Sequence, residues 1–153
     1  MGTSSKLKFD HASTKRRVVL ALPPCQLLEE LRSRLTSDGH QLVTTEEAGA
    51  FDVALAVIAE GIGATAGVIV VGSSFADGEW MPMLLRCRSS LRGTLVVVLD
   101  EGLDEDELDA IADAGWVTIQ PPLRVEHVAY AVAHADIWRF LRPSRALFER
   151  IGG

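Results

Sequence analysis

The sequence has few cysteines, and they are poorly placed for cross-linking or metal binding. Its two cysteines, Cys25 and Cys87, lie far apart, and neither has the close neighbour that zinc-type spacing requires. A single bridge is also a weak basis for a disulfide-stabilised fold. We therefore expect reduced thiols, no metal or other cofactor, and a cytoplasmic protein.

Long apolar segments are also absent. No apolar run approaches the roughly 18 residues that a membrane-spanning helix needs. The N-terminus contains Lys and Ser but no apolar core of the kind found in secretory signals. We expect no contact with a membrane and no secretion.

Basic charge is scarce outside the N-terminus. The formal net charge is −6, yet five of the 15 basic residues fall within residues 1–17. Residues 100–113 hold eight carboxylates and no basic side chain, a pattern typical of a solvated helix face. Because phosphate contacts require clustered Lys and Arg, the globular part is not expected to bind nucleic acid.

What the sequence does contain is an aliphatic core. Of its 153 residues, 48% are hydrophobic and only 6% aromatic, which suits one domain with a core of its own. Residues 67–74 and 95–99 are rich in β-branched residues and predict strands buried on both faces. The helix-sized segment between them makes a βαβ unit.

The whole chain follows the same alternation of strand and helix. Asp104 with Glu107 three residues later has the spacing of a helix capping box. The patterns predict five strands at 17–22, 41–45, 67–74, 95–99 and 116–120, and five helices at 25–37, 51–60, 79–90, 104–114 and 124–141. We expect a disordered basic tail at 1–16, one α/β domain at 17–141 and a short helical extension at 142–153.

Three short motifs carry a resemblance to a known family. They are the segment Asp38–Thr45 at the second strand, Asp77-Gly78 after the third, and Gln120-Pro121 after the fifth. In this order and spacing, the chain resembles the receiver domain of bacterial response regulators. The resemblance implies a three-layer flavodoxin-like (CheY-like) (βα)5 fold with a parallel sheet in the order 2-1-3-4-5.

The phosphorylation residues of that family are missing here. A working receiver phosphorylates an Asp after strand three and holds Mg²⁺ with that Asp and an acidic pair after strand one. A Ser or Thr after strand four and a Lys after strand five contact the phosphoryl group. The matching positions in this chain are Gly72, then Pro23 and Pro24, then Asp100 and Gln120.

The resemblance therefore implies a pseudo-receiver. We expect no enzymatic activity, and a role in bacterial signal transduction through a protein partner, either a sensor or an output protein. The receiver of amidase-operon antiterminator regulators is similar in detail, since its first strand also runs into Pro-Pro and its fifth ends in Thr-Gln-Pro. One alternative is the regulatory receiver domain of such an RNA-binding antiterminator or of another transcription regulator. Another is a small-molecule sensor that uses the vacated phosphorylation pocket.

Two groups of side chains remain to be assigned. Ser73 and Ser74 follow the central strand, but no histidine falls in a neighbouring strand-end loop, which argues against a hydrolase. Asp100 and Glu101 suggest a negative docking rim for a basic partner. Aromatic and His residues late in the chain predict a contact surface, which a homodimer or an output partner would use: Trp116, His127, Tyr130, His134 and Trp138.

Overall fold

A five-stranded parallel sheet forms the centre of the molecule. The computed structural model describes residues 16–60, 67–91 and 93–135, without the side chains of residues 58–60 and 90. The strands run in the order β2-β1-β3-β4-β5, so the β-branched strand β3 is central. Their bounds are β1 Arg17–Ala21, β2 Gln41–Thr45, β3 Gly67–Gly72, β4 Leu95–Leu99 and β5 Val117–Ile119.

Helices cover both faces of this sheet. They are α1 Gln26–Ser37, α2 Ala48–Glu60, α3 Trp80–Arg86, α4 Glu105–Asp113 and α5 Val125–Ala133, with 3₁₀ turns at Phe75–Gly78 and Arg88–Leu91. None of the helices in the described part of the chain has the length and apolarity needed to cross a bilayer. The predicted α/β fold and its strand order are confirmed.

Alternation along each strand divides the core into two layers. In β3, Val68 and Val70 pack with α1 and α5, whereas Ile69 and Val71 pack with α2, α3 and α4. Helices on both faces explain why β3 and β4 read as continuous apolar runs, since neither face meets water.

Several predicted element ends differ from the structure. The third strand ends at Gly72 instead of residue 74, and the third helix ends at Arg86 instead of residue 90, where the thiol of Cys87 donates to the carbonyl of Met83 at 3.4 Å. Because that helix begins at Trp80, its buried residues are Trp80, Met83 and Leu84, and Leu85 is 45% exposed. The second helix begins three residues early, at Ala48.

Some predictions fall on residues that the structure does not describe. The basic tail lies almost wholly within residues 1–15, and the C-terminal extension lies within residues 136–153. Trp138 of the predicted contact surface is also outside the described residues.

A buried histidine joins the starts of β1 and β2. The backbone N–H of Arg16 donates to Nδ1 of His40 at 3.0 Å, and His40 is 7% exposed. Burial lowers the pKa of His40 below its ordinary value; the Asp38 carboxylate raises that pKa in smaller measure, and the Arg16 cation lowers it further. An imidazole that accepts at Nδ1 must be unprotonated there, so the bond requires the neutral ring.

This arrangement predicts a pH-dependent stability. The unfolded chain protonates His40 near pH ~6.5, and the folded protein does so only at lower pH. The free energy of unfolding should therefore be highest above the unfolded-state pKa of His40 and should fall as the pH drops from there towards the folded-state pKa. His40→Asn, whose amide oxygen accepts from Arg16 without titrating, should remove this decline. Chemical denaturation between pH 5 and 8 tests it, and equal pH slopes in both proteins would contradict it.

The capping box at the start of α4 makes a separate contribution to the free energy of unfolding. The Asp104 carboxylate accepts from the Glu107 N–H at 2.8 Å, and the Glu107 carboxylate accepts from the Asp104 N–H at 3.0 Å. Asp104→Ala should lower the free energy of unfolding by about 1 kcal/mol. Asp106→Asn removes a charge from the same turn but no cap, so it should cost less than half as much. If thermal or urea unfolding showed equal losses of stability for Asp104→Ala and Asp106→Asn, the charge of this turn would matter and the cap would not.

Candidate functional site

The carboxyl ends of the central strands meet at one edge of the sheet. Ala21 pairs with Val71, and Gly72 pairs with Leu99, so the residues that follow these strands are neighbours in space. In open parallel sheets this edge, near the reversal of strand order, is where ligands and chemistry are found. Here the strands β1 and β3 present Leu22, which is fully buried, and Gly72.

Gly72 stands directly beneath the carboxylate of Glu101. A Cβ atom built at Gly72 would lie 2.6 Å from Oε1 of Glu101 and 3.3 Å from its Cδ. It would also lie 3.5 Å from Cγ of Leu22. The space that a side chain at Gly72 would need is therefore occupied by a carboxylate from the neighbouring strand end.

Three hydrogen bonds hold Glu101 in that position. Its Oε1 accepts from the Ser74 N–H at 3.1 Å and from the Ser74 hydroxyl at 2.8 Å. In return, the Glu101 N–H donates to Oγ of Ser73 at 2.8 Å. We call Glu101, Ser73 and Ser74 the Glu101–serine network; it ties the loop after β3 to the loop after β4.

The network is anchored to the hydrophobic core. The Ser73 N–H donates to the carbonyl of Leu99 at 2.9 Å, and its own carbonyl accepts from the indole N–H of Trp80 at 3.0 Å. Trp80 is 1% exposed and packs against Trp116 with ring centroids 6.4 Å apart. Both the backbone and the hydroxyl of Ser73 are thus fixed by buried groups or by Glu101.

The loop after Ser74 takes an unusual backbone course. Ala76 and Asp77 have φ values of 51° and 53°, the left-handed region that non-glycine residues rarely adopt. Phe75 anchors the turn, since it is buried and its ring meets Phe51 edge-on at 5.4 Å. The predicted Asp77-Gly78 motif therefore lies in a strained turn directly beside the Glu101–serine network.

The Asp100 carboxylate accepts hydrogen bonds from the backbone of its own loop. Its Oδ1 accepts from the Gly102 N–H at 2.9 Å and from the Leu103 N–H at 2.8 Å, and the residue is only 9% exposed. Its N–H donates to the carbonyl of Ile119 in β5. Asp100 is therefore an acceptor that shapes the turn into α4, and its carboxylate is not free to form a docking rim with Glu101.

The remaining pocket positions carry no charge. After β1, Pro23 is partly buried and Pro24 is exposed, and Gln120 is partly buried after β5. Within residues 16–60, 67–91 and 93–135, no three His, Cys, Asp or Glu side chains converge as metal ligands. All five predicted pocket residues follow strands at the same edge, and their description as a vacated phosphorylation pocket remains a prediction.

The predicted contact surface is divided by the structure. Trp116 is 7% exposed and belongs to the core, so it is corrected from a surface to a core residue. On α5, Tyr130 is 48% exposed, and its ring lies against that of His134 with centroids 4.3 Å apart and a tilt of 45°. Nδ1 of His127 is buried without a hydrogen-bond partner among the described residues.

Sequence reasoning missed the role of Glu101. The sequence pattern did not pair Ser73 or Ser74 with Glu101, although both bind this residue, which lies 28 and 27 positions away from them. The available signal was the combination of a glycine at one strand end with a long acidic side chain at the adjacent one. Pairing of β3 with β4 brings the two together.

Comparison with known proteins shows the fold and not the function. No family model matches the chain, and no curated protein matches it. A crystal structure of a response regulator from Thermotoga maritima is similar, with a TM-score of 0.58 and 18% sequence identity. The match covers 82% of this chain and 98% of that one. The chain therefore has the CheY-like fold of response-regulator receiver domains.

Proposed function

We propose that this protein is a receiver-like signalling module that acts through protein contacts and accepts no phosphoryl group. The observation that carries the proposal is the Glu101 carboxylate above Gly72, where an added Cβ would lie 2.6 Å from Oε1. An incoming phosphoryl group would find no acceptor aspartate at this corner, and the Glu101 carboxylate that takes its place is held by the Ser74 amide and hydroxyl. Without an acidic pair after β1 to hold Mg²⁺, nothing offsets the charge repulsion between that carboxylate and a phosphoryl group.

The neighbouring positions support the same proposal. Magnesium binds through oxygen ligands, usually one or two carboxylates. The residues that directly follow β1 are Leu22, Pro23 and Pro24, which supply no carboxylate. Gln120, a neutral side chain, stands where a receiver has its lysine. Ser73 and Ser74 are engaged with Glu101 and not with a base, so hydrolysis by a serine nucleophile has no support either.

A finer assignment is the regulatory receiver of an antiterminator or another transcription regulator. It rests on Pro23-Pro24 after β1 and on Gln120-Pro121 after β5. The structure gives no support to the alternative of a small-molecule site at the same corner, because Glu101 and Leu22 fill the space above Gly72. We therefore do not extend the proposal to a ligand there.

Two separate surfaces supply candidate contacts, since α4 and α5 pack on opposite faces of the sheet. The first turn of α4 carries three consecutive exposed carboxylates, from Glu105 to Glu107, which suit a basic partner. Tyr130 on α5 and His134, which caps that helix, bring their rings to 4.3 Å at a tilt of 45°, and aromatic side chains are enriched in protein interfaces. The charge of the acidic turn favours electrostatic recognition, which sets association rate and specificity more than affinity.

The proposal predicts that phosphoryl donors leave the protein unchanged. Incubation with acetyl phosphate and Mg²⁺ should give no increase in intact mass, while a receiver that has its acceptor aspartate gains one phosphoryl group under the same conditions. Mass spectrometry on the full chain makes the measurement. A stoichiometric acid-labile phosphoryl adduct at Asp100 or Glu101 would overturn the proposal.

The same geometry predicts coupling between Gly72 and Glu101. In the native protein, Gly72→Ala should displace the Glu101 carboxylate from Ser74, and because that carboxylate ends a flexible, exposed side chain, the free energy of unfolding should fall by about 1 kcal/mol or less. In a Glu101→Ala background the new methyl group meets only ordinary contacts. There the substitution should be neutral or stabilise by about 0.5 kcal/mol, since it restricts the unfolded chain.

Denaturant unfolding of the four proteins in this cycle measures the coupling. Gly49→Ala is the matched control, because a Cβ at Gly49 lies an ordinary 3.8 Å from Glu47 Oε1. Its effect should be the same with or without Glu101. Additive effects of Gly72→Ala and Glu101→Ala would mean that the carboxylate does not occupy the corner.

A further inference from the structure

Among the described residues, no strand pairs with the outer edge of β2. In the described part of the chain, β2 pairs with β1 and ends the sheet on that side. The Gln41 N–H donates to Arg16 on the β1 side at 2.9 Å. Because successive residues of a strand point their backbone groups to opposite sides, Leu42 and Thr44 direct theirs outward.

An apolar groove runs along this edge. Val43 of β2 is 51% exposed, and Val53 and Val57 of α2 are 65% and 56% exposed. The three valines line one groove with a volume of about 630 Å³. Three of the five exposed large hydrophobic side chains found among the described residues are therefore gathered in one patch, which marks an interaction surface.

Opposite charges flank the groove. Arg17 lines it at the start of β1 and has no ion-pair partner among the described residues. Glu46 and Glu47 follow the other end of β2, and both are exposed. The edge is thus basic at one end, acidic at the other and apolar between them.

We infer that this edge binds a second copy of the same chain, with the two β2 strands antiparallel about a two-fold axis at Val43. Val43 is the midpoint of the five-residue strand, so Gln41 of one copy faces Thr45 of the other. The acidic end of each copy then lies beside the Arg17 end of its partner. A self-complementary edge of this kind fits an isologous dimer.

The backbone alternation agrees with that register. Leu42 of each copy forms a hydrogen-bonded pair with Thr44 of the other copy, through the backbone groups that point outward. The dimer therefore contains two such pairs. Val43 meets Val43 as a non-hydrogen-bonded pair, in which the Cα atoms approach to ~4.5 Å. Val53 and Val57 of the two copies close over this pair, and six valines leave water together.

A disulfide cross-link tests the register directly. Val43→Cys, in the full chain with Cys25→Ser and Cys87→Ala, should form a disulfide-linked dimer under mild oxidation. Leu85→Cys in the same background is the control, since Leu85 is 45% exposed but lies on α3, away from β2. Cross-linking at Val43 no faster than at Leu85 would overturn the inference.

Sedimentation equilibrium with charge reversal tests the same contact without cysteine. Val43→Glu should raise the dimer Kd at least about tenfold, and Leu85→Glu should leave it within twofold. Arg17→Glu and Glu47→Arg should each weaken the dimer, and the double variant should regain affinity. A wild-type monomer, or a double variant as weak as the single ones, would refute the antiparallel dimer. Neither result bears on the Gly72 corner, so the proposed function would stand.

Discussion

The arrangement on which this structure depends is one carboxylate held over one glycine. Glu101 reaches from the end of β4 to the end of β3, and it fits only because Gly72 has no side chain. The Ser74 amide and hydroxyl supply the hydrogen bonds that keep the carboxylate in place. A single pair of residues therefore fills the corner at the end of β3 and joins the loop after β3 to the loop after β4.

The fold makes this pairing possible, because parallel strands deliver their ends to one edge. The buried valines of β3 and β4 fix the register that places Gly72 beside Leu99, and hence beside the residues that follow it. With Trp80 bonded to the Ser73 carbonyl, the corner is continuous with the core. Two outer features remain as proposed contact surfaces: the acidic first turn of α4, and the valine-lined edge at β2.

Local pattern was sufficient for the sheet and for most helices. The strands that contain Val68–Val71 and Leu95–Leu99 are buried on both faces, and their uninterrupted apolar sequences predict this burial. The capping box at Asp104 was equally readable, since both partners lie within one turn. Trp116 was misplaced because aromatic character alone does not tell a core position from a contact surface. The Glu101–serine network and the β2 groove both require knowledge of which loops and edges are neighbours, and that information resides in tertiary packing.

The most direct measurement is a crystal structure of the full chain soaked with beryllofluoride and Mg²⁺. We expect Oε1 of Glu101 within hydrogen-bond distance of the Ser74 amide and hydroxyl, with no beryllium or metal density above Gly72. Density for either species at that corner, with Glu101 displaced into solvent, would contradict it.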